Sequence, residues 1–308
     1  MEKKYRGVVV PMITPVDGYS VIEKKFVERI IAGFAKAGVH PLLLGTTGEG
    51  VNVCIDDALD LISYVKSIAP ESMTVYAVLR GSGYRDTVAV CDKYKEAGAD
   101  VAVCTLPSYY QLTPRMMYEY YVGLFTQLSL PAMIYNIPST THMTIPLDTI
   151  FEIFRRVAIK TDYGRCVGIK DSDPDKERLK QLAGEYRERK EFSVFCGCAA
   201  NSTEGLRAGA DGIVPSTGNF MPCAYRKLYD AALKGDWETA EAMQKLTNET
   251  GAMYQKGRPL GEQLAALKAV MAGQQLSLPW MIPPLMEIEQ EERMRLVELG
   301  KTLKDVEL

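Results

Sequence analysis

Histidine and tryptophan are scarce in this chain, two of each among 308 residues, and long apolar runs are missing altogether. Purely apolar stretches such as Val8-Val9-Val10 and Pro41-Leu42-Leu43-Leu44 are short, far below the roughly 20 residues that a membrane-crossing helix needs. A membrane role is not expected. The N-terminus Met1-Glu2-Lys3-Lys4 leads into such a run with no hydrophobic signal region, as in an unanchored cytoplasmic protein. Positive charge is not in excess either: the formal net charge is −3 and the lysines and arginines are interleaved with acids, which leaves no basic face for nucleic acid. Metal ligands are short as well. Cys196-Gly197-Cys198 has no second cysteine pair to complete a site, and the only histidines are His40 and His142. The seven cysteines are odd in number and several sit inside apolar runs, which suits a reducing compartment better than a disulfide framework. No glycine-rich phosphate fingerprint follows the first strand-like run, so a dinucleotide-binding sheet is disfavoured. Neither a metal nor a diffusible cofactor is expected.

What is present is alternation. With 47% hydrophobic residues the chain can bury one large core or two modest ones. Short apolar runs beginning near Val8, Pro41, Thr74, Val101, Pro131, Cys166, Ser193 and Gly212 alternate with longer amphipathic stretches, such as the one carrying Phe26, Ile30, Ile31 and Phe34. Several of these stretches end alike, in Ala37-Gly38-Val39, Ala97-Gly98-Ala99 and Ala208-Gly209-Ala210, each offering a glycine for the left-handed residue that stops a helix. Eight strand-plus-helix units predict a closed α/β (β/α)8 barrel over residues 1–235. The purely helical pattern beyond, with a proline-rich joint at Pro279, Pro283 and Pro284, predicts a C-terminal helical extension over 236–308.

In such a barrel the chemistry sits where the strands' C-terminal ends meet the following loops. Strand six closes with Gly168-Ile169-Lys170 and is followed by Asp171-Ser172-Asp173-Pro174. An amine against apolar walls loses hydration, which favours its neutral, nucleophilic form, so Lys170 is a candidate for imine chemistry. A surface lysine ending a strand is the bland alternative. Strand two ends in Gly45-Thr46-Thr47-Gly48-Glu49-Gly50, where glycines such as Gly48 let backbone amides turn inward beside two hydroxyls, a suitable cradle for a carboxylate. Strand four ends in Pro107-Ser108-Tyr109-Tyr110, and strand five in Tyr135-Asn136-Ile137-Pro138. Amine, phenols and cradle together suit imine chemistry on a 2-oxo acid. For Ser172, capping the turn after Lys170 is the reading its propensity favours over contact with a substrate hydroxyl.

Gly45-Thr46-Thr47-Gly48-Glu49, Tyr135-Asn136-Ile137-Pro138 and Gly168-Ile169-Lys170, in that order and at these intervals, resemble the dihydrodipicolinate synthase / N-acetylneuraminate lyase family of class I aldolases over nearly the whole chain. The resemblance implies that Lys170 forms the imine with pyruvate or a pyruvate-derived 2-oxo acid, that Tyr135 shuttles protons, and that Thr46 and Thr47 bind the carboxylate. It implies that Tyr109 reaches into a neighbouring subunit's site, within a homotetramer built as a dimer of dimers. Gly197, Ile213 and Ser216 become substrate-facing positions. The partners implied are a 2-oxo acid and an aldehyde, with no nucleic acid and no membrane.

Departures narrow the expectation. The lysine-pathway synthases carry an arginine two residues after the proline of the tyrosine motif, where it holds the second substrate's carboxylate; Pro138-Ser139-Thr140 puts a threonine there. The sialic acid lyases carry an acidic pair after strand seven, where this chain has Ala199 and Ala200. The favoured substrate is a 2-keto-3-deoxy sugar acid, with the two named enzymes, a related hydro-lyase and a non-catalytic oxo-acid-binding protein as alternatives.

Overall fold

A computed structural model describes residues 3–81, 83–160 and 166–308, so Met1 and Glu2 of the N-terminal reading lie outside the described residues. The strands are β1 (Gly7–Pro11), β2 (His40–Leu43), β3 (Tyr76–Leu79), β4 (Val101–Thr105), β5 (Ala132–Asn136), β6 (Cys166–Asp171), β7 (Ser193–Cys196) and β8 (Gly212–Ile213). Helices α1 (Lys24–Ala37), α2 (Ile55–Ile68), α3 (Tyr84–Glu96), α4 (Pro114–Phe125), α5 (Pro138–Thr141), α6 (Leu147–Lys160), α7 (Lys176–Tyr186), α8 (Ser202–Ala208) and α9 (Pro222–Leu233) follow or separate them. Helices α10 (Trp237–Gln255), α11 (Leu260–Gly273) and α12 (Gln290–Thr302) complete the chain. The strands pair in chain order as one closed barrel, the (β/α)8 architecture with C-terminal helices. Each expected strand starts within two residues of its apolar run. The largest offset is at Thr74, whose backbone N–H donates to the His40 imidazole at 3.1 Å instead of entering the ladder, so β3 begins at Tyr76. The expected helix stops are equally local: Gly38, Gly98 and Gly209 all have positive φ.

Two compact units divide the chain. The first, Met1–Val8 with Tyr76–Val214, is cored by Tyr5, Tyr76 and Phe195, whose rings meet edge to face at 6.4 and 6.3 Å between centroids. Its first described residue is an anchor. The buried Lys3 ammonium donates to the carbonyls of Tyr186 (2.6 Å) and Phe192 (2.9 Å) and to the Asp211 carboxylate (2.9 Å), which also accepts from Val194 N. Burial pushes the Asp211 carboxyl up, and Lys3 and the Val194 amide draw it back.

The second unit, Val9–Val75 with Pro215–Leu308, holds α1, α2 and α9 to α12. Phe26, Ile30, Ile31 and Phe34 form the buried stripe of α1, as their spacing predicts. Helix α9 takes its first two free amides to the Asp305 carboxylate, from Cys223 N at 2.7 Å and Ala224 N at 3.0 Å. Among the described residues no helix is long and apolar enough to cross a membrane.

Candidate active site

The first unit brings Lys170 and Tyr135 together through strand register. Ala132 pairs with Cys166, then the register shifts so that Met133 pairs with Gly168, leaving Val167 as the extra residue of a bulge. Beyond it Tyr135 pairs with Lys170 and Asn136 with Asp171. Partners at one register share a face and the next pair takes the other face. Tyr135 and Lys170 therefore stand side by side, 3% and 5% exposed, with the lysine Nζ 3.9 Å from the centre of the phenol ring. Contact with the ring face is what holds Nζ beside the tyrosine. Gly168 is what lets β6 lie there. A β-carbon at that position would stand 2.3 Å from the Ser193 carbonyl oxygen of β7.

On the opposite face, the Asp171 carboxylate accepts from Asn136 Nδ2 (2.8 Å), from Arg178 Nε (2.9 Å) and from the Asp173 amide (2.9 Å). Asn136 Oδ1 in turn accepts from Ile145 N at 3.1 Å. Arg178 is delivered by α7, whose first amides at Glu177 and Arg178 donate to the N-cap carboxylate of Asp175. Each residue that follows a catalytic candidate in sequence thus ties the strand ends together from behind. The expectation that Ser172 caps this turn is corrected: the carboxylates of Asp171, Asp173 and Asp175 accept from the turn's amides, because they present a charge two residues upstream of each one. The Ser172 side chain instead abuts Gly197, where a β-carbon would come within 2.2 Å of its Oγ. Those two sequence candidates are neighbours, and Gly197 N donates to the Asp171 carbonyl at 2.7 Å. Ile213, the last residue of β8, is fully buried. Tyr109 lies between β4 and α4, 89% exposed, its ring edge to face with Tyr110 at 4.9 Å.

In the second unit the loop after β2 is turned tightly on itself. Gly50 N donates to the Gly45 carbonyl at 3.1 Å, Glu49 N to the Thr46 carbonyl at 3.2 Å, and the Thr14 hydroxyl to the Gly48 carbonyl at 2.6 Å. Thr46 is half-buried, while Thr47 and Gly48 are buried. A β-carbon on Gly50 would fall 1.8 Å from the Leu44 carbonyl oxygen, so only glycine closes this turn. Ser216 opens the 3-10 turn Ser216–Asn219 after β8 and accepts from Gln255 Nε2 of α10 at 3.4 Å; neighbouring Thr217 bonds the Tyr254 hydroxyl at 2.9 Å.

A family model for the dihydrodipicolinate synthetase family matches residues 4–304. The chain belongs to this family. The family's 4-hydroxy-tetrahydrodipicolinate synthase from Aquifex aeolicus is 26% identical over 299 residues, 96% of this chain and 97% of that one. An uncharacterized DapA-like lyase from Thermofilum pendens is 28% identical over 249 residues, 80% of this chain and 81% of its own. The solved structure of dihydrodipicolinate synthase from Bacteroides thetaiotaomicron superposes with a TM-score of 0.87 at 25% identity, covering 98% of this chain and all of the other. As a family member the chain is a class I aldolase-lyase, an enzyme type that works through a lysine Schiff base.

Sequence reasoning had no role for Asn136, Asp171, Arg178 or Lys268. For Asp171 a signal existed: a residue next to an inward lysine on a strand must face the surrounding helices, where a carboxylate needs a cation. Arg178, in the first turn of the next helix, supplies it at 2.9 Å.

Proposed function

We propose that this family member is a cytoplasmic pyruvate-type aldolase in which Lys170 is the imine-forming amine, acting on a 2-keto-3-deoxy sugar acid. The observation that carries the reading is the in-register pair Tyr135 and Lys170, a buried amine placed 3.9 Å from a phenol ring. The neutral Lys170 amine attacks the 2-oxo carbon, and the carbinolamine hydroxyl takes the Tyr135 phenol proton and leaves as water, giving the protonated imine and a Tyr135 phenolate. That cation accepts the electron pair of the C3–C4 bond, while the C4 hydroxyl loses its proton to Tyr135 and departs as the aldehyde. Protonation of the enamine at C3 and hydrolysis then release pyruvate and the free lysine. Thr46 and Thr47, with the Gly48 amide, hold the substrate carboxylate; Ser172, Gly197, Ile213 and Ser216 contact its remainder. Tyr109 extends the proton relay from a neighbouring subunit, and the assembly is a tetramer of two such dimers.

The names of the relatives favour a second reading, condensation of pyruvate with aspartate semialdehyde. Thr140 weighs against it, because an unpaired substrate carboxylate forfeits a charge-assisted bond of about 1.5–3 kcal/mol. Two assays decide. Pyruvate with borohydride should label Lys170 alone, and labelling at another lysine overturns the mechanism. A panel of 2-keto-3-deoxy acids should release pyruvate at kcat/KM values at least about tenfold above the condensation rate with aspartate semialdehyde; the reverse order assigns the synthase activity.

A further inference from the structure

Beneath the loop that carries Thr46 and Thr47 lies a buried ion pair that the mechanism above does not use. Glu49 and Lys268 have side-chain exposures of 0% and 1%, and Nζ of the lysine stands 2.5 Å from Oε1 of the glutamate. Oε2 accepts from the Ile282 amide at 2.7 Å, and the Lys268 ammonium also donates to the Trp280 carbonyl at 2.9 Å. Burial pulls the Lys268 ammonium below the usual lysine range, and Glu49 pulls it back.

Stability alone gives no reason for such a pair. Removing two charges from water costs more than their attraction commonly returns, and apolar residues of similar volume would hold α11 as well or better. The backbone supplies the missing reason. Leu44 and Glu49, at the two ends of the loop, both adopt left-handed conformations, with φ of 58° and 53°. Side chains rarely accept that region, and they stay there only where surrounding contacts over-determine them. Glu49 is held by its carboxylate, gripped on one oxygen by α11 and on the other by the segment that follows it. Between the two strained residues stand the two threonines, whose amides and hydroxyls must already face the right way if a carboxylate is to bind without reordering the loop.

We infer that Glu49 and Lys268 are positioning residues: from α11 of the C-terminal helices they fix the loop Leu44–Gly50 in the shape that receives the substrate carboxylate. This rests on the reading that Thr46 and Thr47 form the cradle. The readout is the pyruvate concentration giving half-maximal borohydride trapping on Lys170, measured beside KM, kcat and the melting temperature. Glu49→Leu with Lys268→Met removes both charges together and leaves neither unpaired, so the melting temperature should stay close to that of the unaltered enzyme. The half-maximal pyruvate concentration and KM should rise at least about tenfold while kcat at saturation falls less than about threefold, the pattern of lost binding without lost chemistry. Should that double variant not fold, Glu49→Gln keeps the size and the Ile282 hydrogen bond and should shift the same curve in the same direction. Trapping curves that superpose on the unaltered enzyme's, in whichever variant folds, overturn the positioning role. No pyruvate-dependent trapping in the unaltered enzyme overturns the imine reading, and the positioning role with it.

Discussion

Gly168 is the residue on which the placement of Lys170 turns. It sits two positions before the lysine, directly after the bulge, and the β7 backbone approaches it so closely that a methyl group would overlap the Ser193 carbonyl oxygen at 2.3 Å. A carbonyl in a barrel strand cannot swing away as a side-chain tip could, so the strands must part. Gly168→Ala should therefore destabilise the protein by about 1–3 kcal/mol or more, the cost of overpacking a closed interior. It should also slow imine trapping more than it weakens folding, because β6 carries Nζ away from the Tyr135 ring as it shifts. Urea unfolding and the borohydride rate, taken on the same preparation, check both halves. A variant with unchanged unfolding midpoint would mean that the strands relax without cost.

Among the elements, β6 and α7 form one device, since the Asp175 cap starts α7 and the helix returns Arg178 to the Asp171 carboxylate behind Lys170. The guanidinium and carboxylate are 9% and 2% exposed, which places this pair among those whose breakage leaves a buried charge alone. Arg178→Met should cost about 3–5 kcal/mol. The change should appear as a lower urea midpoint at nearly constant slope, whereas a change within experimental error would show that water reaches Asp171 and screens it. Strands and helices were legible in the sequence because their signals are local: apolar runs of the right length, the α1 stripe, and glycine at the helix stops. Motif order identified Lys170 and Tyr135, and the register confirms that they are neighbours. The partners behind them were only partly legible. Asp171 and Arg178 stand seven residues apart across one strand-to-helix turn and could have been paired, whereas Glu49 and Lys268 are separated by most of the chain, and only folding brings those two charges together. The cap after Lys170 was misassigned for the same reason: three nearby carboxylates outcompete one hydroxyl, and propensity taken residue by residue does not weigh that competition.

At the scale of the whole molecule, the proposed assembly turns on the β4–α4 connection. Tyr109 and Tyr110, whose rings touch, are 89% and 73% exposed, and Met116 at the start of α4 is 54% exposed. Contiguous exposed apolar groups are the kind of surface that association covers, and a two-fold contact would present the same residues to their own copy. Under the proposed reading, each Tyr109 hydroxyl enters the partner's proton relay. Tyr109→Phe keeps the ring and its packing and removes only the hydroxyl, so sedimentation should report an unchanged oligomer. Turnover should fall by about 10- to 10⁴-fold, the range for a positioned proton-transfer group, with the pyruvate concentration for half-maximal trapping little altered. Tyr109→Ala, by contrast, removes ring and hydroxyl and should weaken association as well, so its activity should recover with rising protein concentration while that of Tyr109→Phe does not. Full activity in Tyr109→Phe, or full specific activity in a monomer at high dilution, would reduce Tyr109 to a packing residue and confine the relay to groups of one chain.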